Sequence, residues 1–180
     1  SSFNLREIMD SGKILLVKLD KGRFKSNADL LGSLLLAKIQ AAAFSRTDTP
    51  ESERGKFYLY IDEFQNFASE SFPVMLAEAG KYKLPLILAH QNLGQLPPSL
   101  RAAILSNCRL QAYFQISRGD ADILAKESLA SIYAEKPGWE AYIQALQELK
   151  RRQCVIKNKI TGGVVAIHTY DLPPPHELVE

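Results

Sequence analysis

The chain has 180 residues and a formal charge of +2, from 22 Lys+Arg against 20 Asp+Glu. Its 46% apolar and 23% charged residues are those of a globular domain, which excludes wholesale disorder, and 10 Gly with 9 Pro exclude a collagen-like or low-complexity chain. The small net charge excludes a protein that coats nucleic acid through bulk basicity, and leaves room for a local basic site.

The first residue is Ser1 rather than Met, so the chain reads as an internal or C-terminal piece of something longer. No signal peptide opens it. No run approaches the ~20 apolar residues of a membrane helix. The densest stretch, Leu30 to Phe44, is interrupted by Gly32, Ser33, Lys38 and Gln40. Cys108 and Cys154 lie far apart with no CxxC spacing. They offer neither a disulfide framework nor a zinc knuckle and read as two reduced thiols of a cytosolic domain.

In chain order, Lys13 to Leu19 is a short apolar run ending at Asp20 and suits a strand buried on both faces. Ser26 and Asp29 form a capping box for a helix to about Arg46. Its expected apolar face is Leu30, Leu31, Leu34, Leu35, Ile39 and Ala42. Thr47 to Gly55 is a polar loop, and Phe57 to Ile61 a second strand. Pro73 starts a helix running to about Tyr82, and Leu86 to Ala89 is a third strand. Pro97 and Pro98 precede a helix from Ser99 to Asn107. Leu110 to Ile116 is a fourth strand, and Ser117 with Asp120 caps a helix over Ala121 to Glu127.

Lys136, Pro137 and Gly138 mark a break before a helical stripe of Trp139, Tyr142, Ile143, Leu146 and Leu149, read as core packing. Gln153 to Asn158 and Val164 to Thr169 flank Gly162-Gly163 and read as a β-hairpin. Pro173 to Pro175 open an extended tail over 171–180. Alternating strands and helices imply one α/β domain over 1–180, with its core at about 5–170. Its sheet is expected to be mostly parallel and flanked by helices, with a C-terminal β-hairpin. Ligands of such sheets bind beyond the carboxyl ends of the strands. Asp20, Asp62-Glu63, His90-Gln91 and Ser117-Arg118 follow the strand ends and should share that edge.

His90, His168 and His176 are isolated, and the chain contains no HExxH, GxSxG, GxGxxG or GxxxxGK[ST]. The strongest signal is Tyr58-Leu59-Tyr60-Ile61-Asp62-Glu63, which has the form of a Walker B strand. Such a strand carries an Asp to the sheet edge, where it holds Mg²⁺ through bound water. The adjacent Glu can deprotonate an attacking water. The plainer alternative is two acids that end a strand and favour the next helix N-terminus. Leu86 to Gln91 adds a strand ending in Gln, whose amide can polarise a γ-phosphate.

The stretches Phe57–Ser69, Leu76–Leu96 and Arg101–Ala125 together resemble conjugative DNA-transfer ATPases. These are the TraD/TraG-like coupling proteins of type IV secretion, in the HerA–FtsK group of P-loop motors. The opening, Leu5 to Ala43, resembles the segment before the Walker B strand, so the likeness covers roughly residues 5–170. It implies the C-terminal part of a RecA-like motor domain that uses ATP and Mg²⁺ to pump DNA, usually as a hexamer. Asp62 would serve Mg²⁺, Glu63 would be the catalytic base, and Gln91 the γ-phosphate sensor. The Walker A loop lies upstream in such proteins, so this chain alone should not hydrolyse ATP. DNA, other copies in a ring and secretion-channel proteins are the implied partners. The implied location is the bacterial cytoplasm, with the full-length protein anchored at the inner membrane and no membrane contact by this segment.

One departure concerns an Arg that acts in trans in related motors. Ala79-Gly80-Lys81-Tyr82 has Gly80 where that Arg is expected. Such a finger is worth about 10³–10⁵ in rate. Lys81 lies one residue on and about 100° round a helix, so Arg101, Arg109 and Arg118 are the other candidates. Either one of these serves, or hydrolysis is slow and the chain is a motor-like module for assembly or docking. Lys150, Arg151 and Arg152, with Lys157 and Lys159, make a basic cluster suited to phosphate contacts. The same residues also suit a helix C-terminus facing its negative pole.

Overall fold

The structure, a computed structural model, describes residues 3–19, 22, 27–69, 71–127 and 136–171. The chain divides into two compact units, Ser1–Asn107 and Cys108–Glu180.

The first unit opens with helix α1 (Leu5–Asp10), whose Asn4 side chain accepts hydrogen bonds from the Arg6 and Glu7 backbone N–H groups. The sequence reading left this helix out. Residues 13–19 follow in extended form without pairing into a strand, contrary to expectation. Ile14 and Leu16 are 88% and 90% exposed. A strand exists only through its neighbours, and none beside this run takes up its backbone hydrogen bonds. Asp20, Ser26 and the 172–180 tail lie outside the described residues, so the strand end, cap and tail read there do too.

Helix α2 (Asn27–Phe44) is the longest element of this unit. It buries Ala28, Gly32, Leu36, Ile39 and Ala43, while Leu30, Leu31 and Leu34 stay exposed. The expected face is therefore corrected. The helix is apolar nearly all round, so its period marks no single stripe, and close approach decides instead. A Cβ on Gly32 would lie 2.2 Å from a Phe67 ring carbon, and Ser33 Oγ donates to the Phe67 carbonyl at 3.1 Å. Together with the turn after it, the helix spans Asn27–Asp48 and is long and apolar enough to cross a membrane by length and composition. That revises the reading that no stretch approaches such a length. The helix packs against α1 and against the 3₁₀ turn Ala79–Tyr82.

Arg46, just past α2, is fully buried. Its Nη1 donates to the carbonyls of Gly55 at 3.1 Å and Tyr82 at 2.9 Å, and Nη2 lies 2.9 Å from Asp10 Oδ1. It thereby ties α1, α2 and the entries to both strands. Loss of one side of such a buried pair costs roughly 3–5 kcal/mol.

Strands β1 (Leu59–Ile61) and β2 (Leu86–Leu88) pair in parallel, with Tyr60 opposite Ile87. Helix α3 (Phe72–Glu78) and the Ala79–Tyr82 turn form their crossover. Helix α4 (Pro98–Asn107) packs on α3. Phe64, Phe72, Met75, Leu84, Leu93 and Leu100 are part of the core.

The second unit holds strands β3 (Leu110–Tyr113), β4 (Gln153–Asn158) and β5 (Gly163–His168) in one antiparallel sheet of that order. Helices α5 (Arg118–Glu127) and α6 (Lys136–Gln147) supply its core with Ala121, Ala125, Ile143 and Leu146 against Val155. The Ser117 hydroxyl caps α5, accepting from the Asp120 N–H at 3.2 Å. The hairpin β4–β5 is as expected, and Gly162 in its turn takes φ +71°. The fourth strand is not a member of the parallel sheet. It pairs antiparallel with β4, so the described residues form an α/β fold with two small sheets rather than one mostly parallel sheet.

Candidate functional site

The carboxyl end of the parallel pair is built from its own backbone ladder. The Ala89 N–H donates to the Ile61 carbonyl at 3.0 Å, and the Phe64 N–H donates to the Ala89 carbonyl at 3.1 Å. Both chains thus leave the sheet at one level. Phe64 is fully buried, with its ring centroid 5.7 Å from that of Phe72 and 5.3 Å, edge-on, from His90. That packing holds the residue after Glu63 and the residue before Gln91 together.

Asp62 is exposed, and its Oδ1 accepts the Glu63 N–H at 3.0 Å. Glu63 takes a left-handed backbone, φ 50° and ψ 42°, which turns its side chain off the line of the strand. Such a conformation costs a non-glycine residue of the order of 1 kcal/mol and is tolerated where the surroundings fix it. Its carboxylate is held on both sides. Gln91 Nε2 donates to Oε1 at 2.5 Å, and Gln65 Nε2 donates to Oε2 at 2.5 Å. Asp62, Glu63 and Gln91, read separately from two strand ends, are thus brought to one edge. Gln65 was not singled out from sequence. Its signal is position: it lies in the tight turn Phe64–Asn66, two residues past the acid.

The basic candidates do not gather here. Lys81 Nζ is 2.7 Å from Glu78 Oε2, and that hydrogen bond raises the lysine's pKa. Gly80 is exposed, with open space where a side chain would stand. Arg101 lies in α4 and is half-buried. Arg109 is exposed, and its carbonyl accepts the Lys159 N–H at 2.8 Å. Arg118 is engaged: Nη1 and Nη2 reach the two Glu140 oxygens at 2.6 and 2.9 Å, and Nε lies 3.4 Å from Asp122. These contacts raise the Arg118 pKa, and its hydrogen bonds hold Glu140 below the usual carboxylate range.

The basic cluster of the second unit comes apart. Lys150, Arg151 and Arg152 precede one end of β4, and Lys159 follows the other, about 20 Å away at ~3.3 Å per residue. Lys157 is buried in the strand, where burial and then Lys159 push its pKa down. Arg152 pairs with Asp171, while Lys150 and Arg151 are exposed. What remains as a possible DNA contact is the short run Lys150–Arg152.

Three acids or more that could hold a metal by themselves occur nowhere among the described residues. That fits Mg²⁺ of the kind bound by one carboxylate and substrate phosphates rather than by a protein cage. A cleft of about 410 Å³ in the first unit is lined by Ala68, Ser69, Pro73, Pro97, Ser99 and Leu100, none of them a candidate above.

Residues 56–128 match the family described as the TraM recognition site of TraD and TraG. A comparison with curated proteins finds no match. Among solved structures, the genome-packaging NTPase B204 of Sulfolobus turreted icosahedral virus 2, in complex with AMPPCP, is similar. It has 15% identity and a TM-score of 0.62, over 95% of this chain and 73% of that one. Its sulfate complex gives 15% identity and 0.61, over 94% and 72%. VirB4 of Thermoanaerobacter pseudethanolicus is 19% identical with a TM-score of 0.54, over 88% of this chain and 42% of that one. At such identities the likeness is one of fold: an α/β arrangement shared with a packaging NTPase and VirB4. The Asp-Glu strand, the Gln-ending strand and the chain on to α5 all lie within the matched span, so residues 56–128 are a TraD/TraG-type region.

Proposed function

We propose that this chain is the carboxylate-bearing, C-terminal part of a RecA-like, ATP-driven motor domain that moves DNA in conjugation or type IV secretion. The observation that carries the reading is the hydrogen bond between Gln91 and Glu63, which joins the ends of two parallel strands at one edge. Glu63 takes a proton from the attacking water at a carboxylate oxygen. Gln91, freed from Glu63, turns its amide to the terminal phosphate. Asp62 keeps Oδ2 for Mg²⁺-bound water while Oδ1 serves the backbone. The metal, when bound, supplies charge neutralisation for the phosphates.

GxxxxGK[ST] does not occur in the 180 residues, so the phosphate-binding loop comes from another segment of the motor. The bare face of the parallel pair supports this. Tyr60 is 72% exposed and Tyr58 and Ile87 are exposed beside it, whereas parallel sheets are covered on both faces. The motor acts as a ring of copies, a hexamer in this reading, at the cytoplasmic side of the bacterial membrane. Its partners are DNA, contacted through Lys150–Arg152, secretion-channel proteins, and a TraM-type protein through the matched region.

The test is DNA-stimulated ATP hydrolysis by the full-length protein. Glu63→Gln abolishes it on this reading, and unchanged hydrolysis in that variant sinks the assignment. A second reading, a motor-like module with impaired hydrolysis used for assembly or docking, is favoured by Gly80 and by the local pairing of Lys81 and Arg118. It requires that the unsubstituted full-length protein show no DNA-stimulated hydrolysis.

A further inference from the structure

Glu63 presents two oxygens, and the assigned chemistry occupies only one of its two amide partners. Gln91 must leave Oε1 when it turns to a phosphate. Gln65 has no such errand. Its Nε2 meets Oε2 at 2.5 Å, and its Oε1 is buried without a hydrogen-bond partner among the described residues. An unpartnered buried amide oxygen costs roughly 1–3 kcal/mol. A side chain serving the turn alone would spend both ends of its amide on backbone. This one directs its donor at the carboxylate, from a turn whose first residue, Phe64, is fixed by burial. The backbone of Glu63 itself is left-handed, so its side chain direction is not secured by strand geometry.

We propose that Gln65 is a positioning residue, which keeps the Glu63 carboxylate oriented towards the attacking water once Gln91 has turned to the phosphate. This rests on the reading of Glu63 as the base. A carboxylate with one charge-assisted hydrogen bond retained keeps its rotamer, and one with none samples several.

The experiment is steady-state ATP hydrolysis by the full-length protein with DNA, for Gln65→Ala, Gln65→Glu and Glu63→Gln. Gln65→Ala lowers kcat about tenfold and leaves KM for ATP within about twofold, because the contact acts on the base and not on nucleotide binding. Gln65→Glu is similar in shape but sets a second negative charge against Glu63, and lowers kcat further. Thermal unfolding of the same variants separates a purely structural role, which would lower the melting temperature and leave the turnover of the folded protein unchanged. If Gln65→Ala fails to fold, the near-isosteric Gln65→Glu decides. Undiminished kcat in the folded Gln65 variants, with Glu63→Gln inactive, overturns this proposal and spares the assignment of the base. Undiminished hydrolysis in Glu63→Gln overturns the assignment itself.

Discussion

At the scale of single residues, the sharpest question is where the trans-acting cation of a ring motor comes from. Lys81 is held by Glu78 and Arg118 by Glu140, so each must break a local pair before it could reach a neighbour. Gly80 offers a direct test. A Cβ there meets nothing within 4 Å, and the Lys83 N–H bond to its carbonyl, 3.1 Å, does not involve a side chain. Gly80→Arg therefore fits without strain, and replacing an exposed Gly removes unfolded-state freedom worth about 0.4–1 kcal/mol. If turnover is limited by the missing finger, this variant raises kcat of the full-length motor at least about tenfold, towards the ~10³ of a working finger. Unchanged kcat in a stable Gly80→Arg protein means that the finger sits elsewhere or that another step limits the rate.

At the scale of elements, the helix α5–α6 pair carries the clearest electrostatic feature. Arg118 opens α5, next to the positive end of its dipole, a poor place for a cation unless acids compensate. Glu140 and Asp122 do so. The Glu140 pKa is lowered in the folded state, so its contribution to stability is present above the ordinary glutamate range and is lost as pH falls through the folded value. Wild type should melt above Arg118→Gln at pH 7, and the gap should close as pH is lowered below the ordinary glutamate pKa of about 4.3. With the acids neutral, the dipole then favours the variant. Melting curves of both proteins from pH 7 to pH 3 check this, and a gap that does not narrow excludes the pair as its source.

The elements also show what a sequence states and what it leaves open. Tyr58–Glu63 and Leu86–Gln91 were legible because an apolar, β-rich run and the polar residues after it are both local features, and the pair of ends could be read before seeing them meet. The run 110–113 was equally legible as a strand, but its direction belongs to its partner, and β4 lies forty residues away. On α2, leucines stand on every side, so the buried stripe was decided by the glycine and alanines that let Phe67 approach, a contact that periodicity does not encode. Gln65 escaped notice for a related reason. Its role depends on the left-handed turn at Glu63, and a glutamate carries no sequence mark for that conformation.

At the scale of the molecule, exposed apolar side chains concentrate in the first unit at two places that regular α/β proteins cover. One is the face of Tyr58, Tyr60 and Ile87, and the other is the extended run with Ile14, Leu16 and Val17. An apolar extended run with an unpaired backbone is an edge awaiting a neighbour. In a completed motor domain that neighbour is the sheet of the phosphate-loop segment, and the run then becomes the strand its composition suggests. Ile14→Ser with Leu16→Ser tests this on two proteins at once. Both side chains are almost fully in solvent, so the double substitution should change the stability of the 180-residue chain by no more than about 0.5 kcal/mol per site. In the full-length protein the same side chains would be buried, and their loss should cost about 2–5 kcal/mol each, visible as a lowered melting temperature and lost ring assembly. Equal, small effects in both proteins would mean that the run stays in solvent and that the phosphate-loop segment docks elsewhere.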